Sequence, residues 1–397
     1  MKEHKVFIAV LAAFSLLLLW RLDQPSGYLV FDEWWYVNAA RVILGLPQTI
    51  GDPAFLKIPY PGAVAGLDPN MEHPPLVKLM LAVSMGVLGD NAYGWRIPSV
   101  LFGIAALVIF YLLVRKMTLS TRTASIAAFL LAFDSLFFVQ SRLAMLDIFT
   151  LALMLFGFYW YLTRPTVYLS ALAMALATLT KLTGAYGVLA ILLFHAVKCA
   201  VNGGSVQERV KVWSRWAARY VALSVVVFVG LLWVLDHWTP FTSPIAHIAY
   251  MLNFAASKTS SCAPLGFCPW QWILNFPTMT YLNLPSMAVT FRGTASPTTL
   301  AITLLAIPYA LISYRQHRTA NSLYALTWFL ATYLPYIPLV LILSRTTYPY
   351  YLLPALPAIA AATATLLTEQ HLPIRLTIIY LTLVIVEFAL LFPFKLW

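Results

Sequence analysis

Charge is scarce in this chain. Asp, Glu, Lys and Arg make up 10% of it, against 61% hydrophobic residues and a mean hydropathy of +0.81. A soluble globular domain carries about 25% charged residues, so a water-soluble fold is excluded: it would have no place for so much apolar surface. Three cysteines are too few for a disulfide scaffold, and no CxxC pair is present to hold a metal through thiolates. Alternating ten-residue strands of the kind that close into a membrane barrel are also missing. So are internal repeats, a low-complexity tail and any stretch with the composition of a soluble domain.

What is there is a series of continuous apolar runs, each near the length that crosses the roughly 30 Å hydrocarbon core as a helix. The hydropathy predicts eleven spans, at 5–22, 97–114, 123–140, 147–163, 166–180, 184–198, 217–235, 298–314, 323–343, 350–368 and 375–393. The first ends in Trp20-Arg21 without a small-residue cleavage pattern, so it is expected to stay as an anchored helix. With the N-terminus cytoplasmic, 14 of the 25 basic residues fall on the inner side with only Glu3, Glu208 and Glu369, which places the whole excess of +11 there. That is the positive-inside pattern, and it makes the basic composition a mark of topology rather than of nucleic-acid binding.

Two segments then lie outside. Residues 23–96 contain a helical stretch from Asp32 to Leu44, a Pro/Gly-rich loop from Pro47 to Pro69, and an apolar stretch from Leu76 to Leu88. Both helices are too short or too polar at the edge to span, and are expected along the interface with Trp34, Trp35 and Tyr36 at headgroup depth. Residues 236–297 are rich in Trp, Pro and Asn, with a further interfacial helix expected over Pro244–Ala256. Cys262 and Cys268 share this segment, where a local disulfide is chemically open to them.

An ionisable group near membrane depth costs about 2.5–3.5 kcal/mol on insertion scales, so it pairs or serves a site. Asp32-Glu33 opens a helical stretch, where Asp can cap the helix or act as a base at the rim of a membrane cavity. MEHPPLVK (71–78) sets Glu72, His73 and Lys78 around two prolines, close after Asp68. SRLAMLD puts Arg142 and Asp147 at the junction of the third and fourth spans, where an ion pair between them could staple two helices. Lys181, Arg345 and Arg96 mark three more outer helix ends. The expected topology brings these cations and carboxylates to one level. A cationic cluster there suits a lipid-linked phosphate, and a carboxylate beside it suits removal of a hydroxyl proton. The combination describes glycosyl transfer in which the phosphate leaves as a stable anion, so a single base suffices.

The motifs FDE (31–33), HPPLVK (73–78), WRIPSVLFG (95–103), QSRLAMLD (140–147) and TKLTG (180–184) occur in the order seen in protein O-mannosyltransferases. The chain resembles that family over about its first half; the second half is similar in hydropathy and in YPYYLLPALP (348–357). The resemblance implies an all-α polytopic GT-C glycosyltransferase fold as a single membrane domain, 1–397, with the active site on the outer face of a prokaryotic plasma membrane. It implies a dolichyl- or polyprenyl-phosphate mannose donor, a Ser/Thr hydroxyl of a protein as acceptor, and no further cofactor. Asp32 matches the family's general base, with Glu33 and His73 in acceptor binding. Arg96 matches the family's functionally important arginine, and Arg142, Asp147 and Lys181 match motifs lining the donor cavity. Charge and topology assign phosphate binding to Lys181 and Arg345, and Lys78 is a further donor-site candidate. Asp147, Glu72 and Tyr348 are then cavity-lining.

Eukaryotic members insert a soluble domain in the outer loop that here has only residues 236–297, so this chain is similar to a compact prokaryotic member. EHPPL also resembles a turn of the transferases that add aminoarabinose to lipid A. This opens a lipid or glycan acceptor, and it makes Glu72, His237 and His247 the candidates for a metal site. A transporter remains the rival class. It would place its charges at the bilayer midplane within paired repeats, rather than at one boundary.

Overall fold

The computed structural model describes residues 4–49, 57–164, 166–201, 203–260, 268–274, 278–369 and 372–394. In chain order, α1 (Lys5–Leu19) is followed by two helices of the first long connection, α2 (Glu33–Ile43) and α3 (Leu76–Leu88). Next come α4 (Ala92–Thr118), α5 (Thr121–Ala132), α6 (Ser135–Gln140), α7 (Asp147–Thr163), α8 (Tyr168–Thr180), α9 (Ala185–Ala200) and α10 (Val206–Leu235). The second long connection holds α11 (Pro244–Ser257), α12 (Pro269–Leu274) and an antiparallel hairpin of β1 (Thr280–Leu284) and β2 (Val289–Arg292). The chain then continues through α13 (Pro297–His317), α14 (Ala320–Tyr333), α15 (Tyr336–Leu343), α16 (Leu356–Thr368) and α17 (Ile374–Leu391).

Helix occupies every one of the eleven expected spans, and the protein is a predominantly helical integral membrane protein. Among the described residues, seven helical segments are long and apolar enough to cross a membrane. The other expected spans hold shorter or broken helices. Burial separates an inner from an outer layer. In α16 every residue from Leu356 to Ala364 is buried, whereas α10 and α17 expose Val225, Val226, Trp233, Ile378, Leu383 and Val386. Such apolar exposure is stable only against lipid.

The breaks gather at one end of the bundle. The span expected at 123–140 divides at Asp134, whose Oδ1 accepts the amides of Leu136 (3.0 Å) and Phe137 (3.3 Å) and so starts α6 afresh. Pro335, which lacks an amide hydrogen, separates α14 from α15. The span expected at 350–368 begins as a 3-10 turn over Pro349–Ala355 before α16 takes over. Lys181 and the 3-10 turn Leu182–Gly184 part α8 from α9. Broken backbone at membrane depth is tolerated where it is enclosed by protein or lines a cavity. These breaks bring polar side chains to the level of α2.

Three expectations need correction or limits. Trp34 and Tyr36 do not face lipid: both are buried in protein, because α2 is packed on almost every side, and Trp35 is half-buried. The hairpin was not expected at all. Cys268 is disulfide-bonded and Cys199 is free, while Cys262, the partner considered from sequence, lies outside the described residues.

Gly184 closes the break before α9. A β-carbon there would sit 2.3 Å from the carbonyl carbon of Ala177 and 2.4 Å from its oxygen, and main chain cannot yield. Gly184→Ala is therefore expected to destabilise the fold by about 1–3 kcal/mol, the range for overpacking. A lowered thermal unfolding midpoint of the detergent-solubilised protein would report it.

Candidate active site

Asp32 and Glu33 are adjacent and have opposite surroundings. Glu33 is fully buried and satisfied on both oxygens. Its Oε1 accepts from Arg96 Nε (2.9 Å) and the Ala144 amide (2.9 Å), and its Oε2 from Arg96 Nη2 (2.8 Å) and the Val30 amide (2.9 Å). Arg96 Nη1 donates to the carbonyls of Leu22 (2.8 Å) and Gln24 (2.9 Å). The pair thus ties the start of α2 to the end of α1, to α4 and to the α6–α7 connection. Glu33 and Arg96, expected at the acceptor and at the donor phosphate, are here bonded to each other and to main chain.

Asp32 occupies the N-terminal cap position of α2, yet its side chain caps nothing. The carboxylate is half-buried and held among protein groups, and loss of water pushes its pKa up from 3.8 to about 7. Lys181 and a hydrogen bond from Tyr350 pull it down, while Asp147 and Glu72 push it up. Desolvation outweighs the cation. Lys181 Nζ donates to Asp147 Oδ1 at 2.8 Å and lies 4.7 Å and 5.3 Å from the ring centroids of Tyr351 and Tyr350. The staple at this junction is therefore Lys181–Asp147, and the Arg142–Asp147 pair considered from sequence does not form. Arg142 is buried instead under Phe138, Phe291 and Phe394, donating to the carbonyls of Trp20 (3.2 Å) and Arg21 (3.0 Å).

The MEHPPLVK turn closes one side. Lys78 is buried against Asp68 (2.7 Å) and also donates to the His73 carbonyl (2.8 Å) and to Asn70. It shapes the loop rather than presenting a charge to a phosphate. Glu72 and His73 are half-buried and remain at the site: Glu72 accepts from Asn70 Nδ2 (2.7 Å), and the His73 ring meets Tyr36 edge-on at 6.1 Å. Burial raises the pKa of Glu72. Burial, then Lys181, Lys78 and Arg345, hold His73 well below 6.5, so its ring is neutral at physiological pH. Arg345 is half-buried, donates to the Lys258 carbonyl at 3.3 Å, and has no carboxylate partner among the described residues. Tyr348 stacks on Tyr350 at 5.6 Å.

The metal candidates do not assemble. His247 is fully buried with Nδ1 at 2.6 Å from Asp236 Oδ1 and Nε2 donating to the Met71 carbonyl at 3.0 Å, so neither nitrogen is open to a metal. His237 is exposed. No cluster of three His, Cys, Asp or Glu suited to a metal occurs among the described residues.

Sequence reasoning passed over the tyrosines. Tyr36, Tyr281, Tyr350 and Tyr351 wall the space around Asp32 and Lys181. Three of them lie inside motifs already visible, FDEWWY and YPYY; Tyr281 had no signal at all.

Residues 72–233 match the family model described as dolichyl-phosphate-mannose-protein mannosyltransferase. The polyprenol-phosphate-mannose–protein mannosyltransferase of Mycobacterium tuberculosis is 30% identical over 122 residues, covering 31% of this chain and 21% of that one. The chain thus matches about a fifth of the length of the first curated relatives. An undecaprenyl phosphate-4-amino-4-deoxy-L-arabinose arabinosyl transferase of Pseudomonas aeruginosa is 30% identical over 147 residues, covering 37% and 25%. The Saccharomyces cerevisiae protein O-mannosyltransferase Pmt1–Pmt2 complex, solved with its sugar donor, aligns over 99% of this chain and 90% of that chain at TM-score 0.73 and 11% identity. At that identity the likeness shows the fold, which is GT-C.

Removing one member of the Glu33–Arg96 latch leaves an uncompensated buried charge, which costs about 3–5 kcal/mol. Glu33→Leu and Arg96→Met are each expected to lower the unfolding midpoint sharply, and the double variant to regain part of the loss. Thermal unfolding of all three in detergent checks this.

Proposed function

We propose, from the match of residues 72–233 to the dolichyl-phosphate-mannose-protein mannosyltransferase family model, that the chain carries out an inverting transfer of mannose from a polyprenyl-phosphate donor to a protein Ser or Thr hydroxyl. The observation that carries the reading is Asp32: a carboxylate uncommitted by its own helix, in a desolvated pocket beside Lys181, with its pKa near 7. A base poised near the working pH is the efficient one. The acceptor hydroxyl gives its proton to Asp32 as its oxygen bonds to the anomeric carbon. The bond from that carbon to the phosphate oxygen breaks, and its electron pair leaves on the lipid phosphate.

Arg345 and Lys181 are the cations placed to offset charge on the leaving group. Neutral His73 and the tyrosines serve as hydrogen-bond partners for sugar and acceptor. The names of the mycobacterial and Pseudomonas relatives support a polyprenyl-phosphate donor; the first supports a protein acceptor and the second a different sugar. The basic loops at the far end of the bundle support an N-terminus in the cytoplasm and a site on the outer face of a prokaryotic plasma membrane.

Transfer from radiolabelled polyprenyl-phosphate mannose to a Ser/Thr peptide is expected for the wild type, with about a 10²–10⁴-fold loss in a folded Asp32→Asn, the usual contribution of a general base. Release of lipid phosphate without peptide labelling would move the acceptor to a lipid or glycan. No consumption of any such donor would return the transporter reading.

The pH dependence follows with a definite sign. Only ionised Asp32 accepts a proton, so kcat/KM is expected to rise through about pH 7 and level off above it. A profile flat from pH 5 to 8 would remove Asp32 from the role.

A further inference from the structure

The residue just before Asp32 is in an unusual state. Phe31 has φ +55°, in the left-handed region. Bulky side chains rarely adopt it, and it costs on the order of 1–3 kcal/mol unless the surroundings hold it. On one side the Val30 amide is held by Glu33 Oε2 at 2.9 Å. On the other, the Phe31 ring lies flat on Tyr281, with centroids 4.3 Å apart and planes 9° from parallel. Tyr281 comes from the hairpin, some 250 residues away along the chain.

Three features of the hairpin serve that contact. The β1–β2 register is irregular between Thr280 and Leu282, so Tyr281 is the residue at the bulge; bulges re-aim a side chain relative to the ladder. Gln140, the last residue of α6, donates from Nε2 to the Tyr281 hydroxyl at 2.8 Å in a buried bond. At Gly293 a β-carbon would lie 2.1 Å from the Tyr281 ring, so only glycine lets the ring lie flat over the backbone there. Tyr350, which donates to Asp32, meets both rings edge-on, at 5.8 Å from Phe31 and 6.0 Å from Tyr281.

We propose that Tyr281 is a positioning residue for the transfer: the hairpin, pinned by Gln140 and Gly293, clamps Phe31 and thereby fixes where the Asp32 carboxylate points and keeps water from it. The inference rests on Asp32 as the base. Tyr281 need not touch substrate; it acts through Phe31 and Tyr350.

Tyr281→Leu removes the stack but not the apolar bulk. It is expected to lower kcat by about 10- to 100-fold, the scale of a misplaced catalytic group, with donor KM changed less than about twofold. Water admitted at the pocket moves the acidic limb of the pH profile below 7, toward an ordinary carboxylate. Tyr281→Phe, which keeps the stacked ring, recovers most of the rate, and Gln140→Leu gives a smaller change in the same direction. A readout independent of turnover is modification of Asp32 by dicyclohexylcarbodiimide, which takes the protonated carboxyl, followed by peptide mass spectrometry across pH 4–9. Half-labelling shifts downward in Tyr281→Leu if the clamp holds.

Unchanged kcat and an unchanged labelling midpoint in a folded Tyr281→Leu overturn the proposal, as does a rise in donor KM alone. Should that variant fail to fold, Gln140→Leu decides by the same two measurements. The two readings fail separately. If Asp32→Asn keeps full activity, the base assignment falls while the labelling still reports on the clamp. If Asp32→Asn is inactive and Tyr281→Leu is normal, only the clamp falls.

Discussion

The buried pair of Glu33 and Arg96 holds the rest of the site in place. Glu33 collects four hydrogen bonds from three separate segments, and Arg96 reaches back to the carbonyls at the end of α1. Ion pairs of this kind do little for net stability compared with apolar packing, because taking two charges out of water is expensive. Their geometry is demanding, however, since a carboxylate with four donors can sit in only one place. The consequence is that α2 begins at a fixed point and direction, and Asp32, one residue earlier, inherits that precision without taking part in the pairing.

The second constraint is solvent. Four interruptions in the helices, at Asp134, Lys181, Pro335 and Pro349, bring polar groups to one level of the bundle while keeping them enclosed. Enclosure acts on each ionisable group in a direction set by its partners. Lys181 has Asp147 at 2.8 Å; His73 is lowered by burial and then by three cations; Asp32 has a cation nearby but too little water, and is raised. The three groups are thereby sorted into a carboxyl that titrates near neutrality, a neutral imidazole and a paired cation.

Helices and site level were legible in the sequence because both are written in hydropathy and in charges that cannot be left unpaired in a membrane. α2, α3 and α11 start within a residue or two of where composition placed them. The partners of those charges were not legible. Arg96, Arg142 and Lys78 are all cations at the right level, yet each is turned inward, to Glu33, to main-chain carbonyls and to Asp68. A positive charge in sequence carries no record of which acceptor it will meet. Arg142 and Asp147 are five residues apart in one motif, but the turn between α6 and α7 separates them and hands Asp147 to Lys181 from another helix. The hairpin was hidden for a different reason: strands of five and four residues inside a loop rich in Pro and Asn give no period long enough to read.

The charge balance around Asp32 bears on how such a site can hold an anionic donor at all. Base and leaving group are both negative in the course of the transfer, so placing them together raises the free energy of the ionised base. Lys181 is already matched by Asp147 and His73 is neutral, whereas Arg345 and the fully buried Arg142 have no carboxylate partner among the described residues. In a low-dielectric pocket unscreened repulsion between two anions falls only as the inverse of their distance, so a nearby cation is needed to offset it. On the proposed reading the phosphate charge must be met by a cation, and Arg345, half-buried where Arg142 is fully buried, is the more accessible candidate.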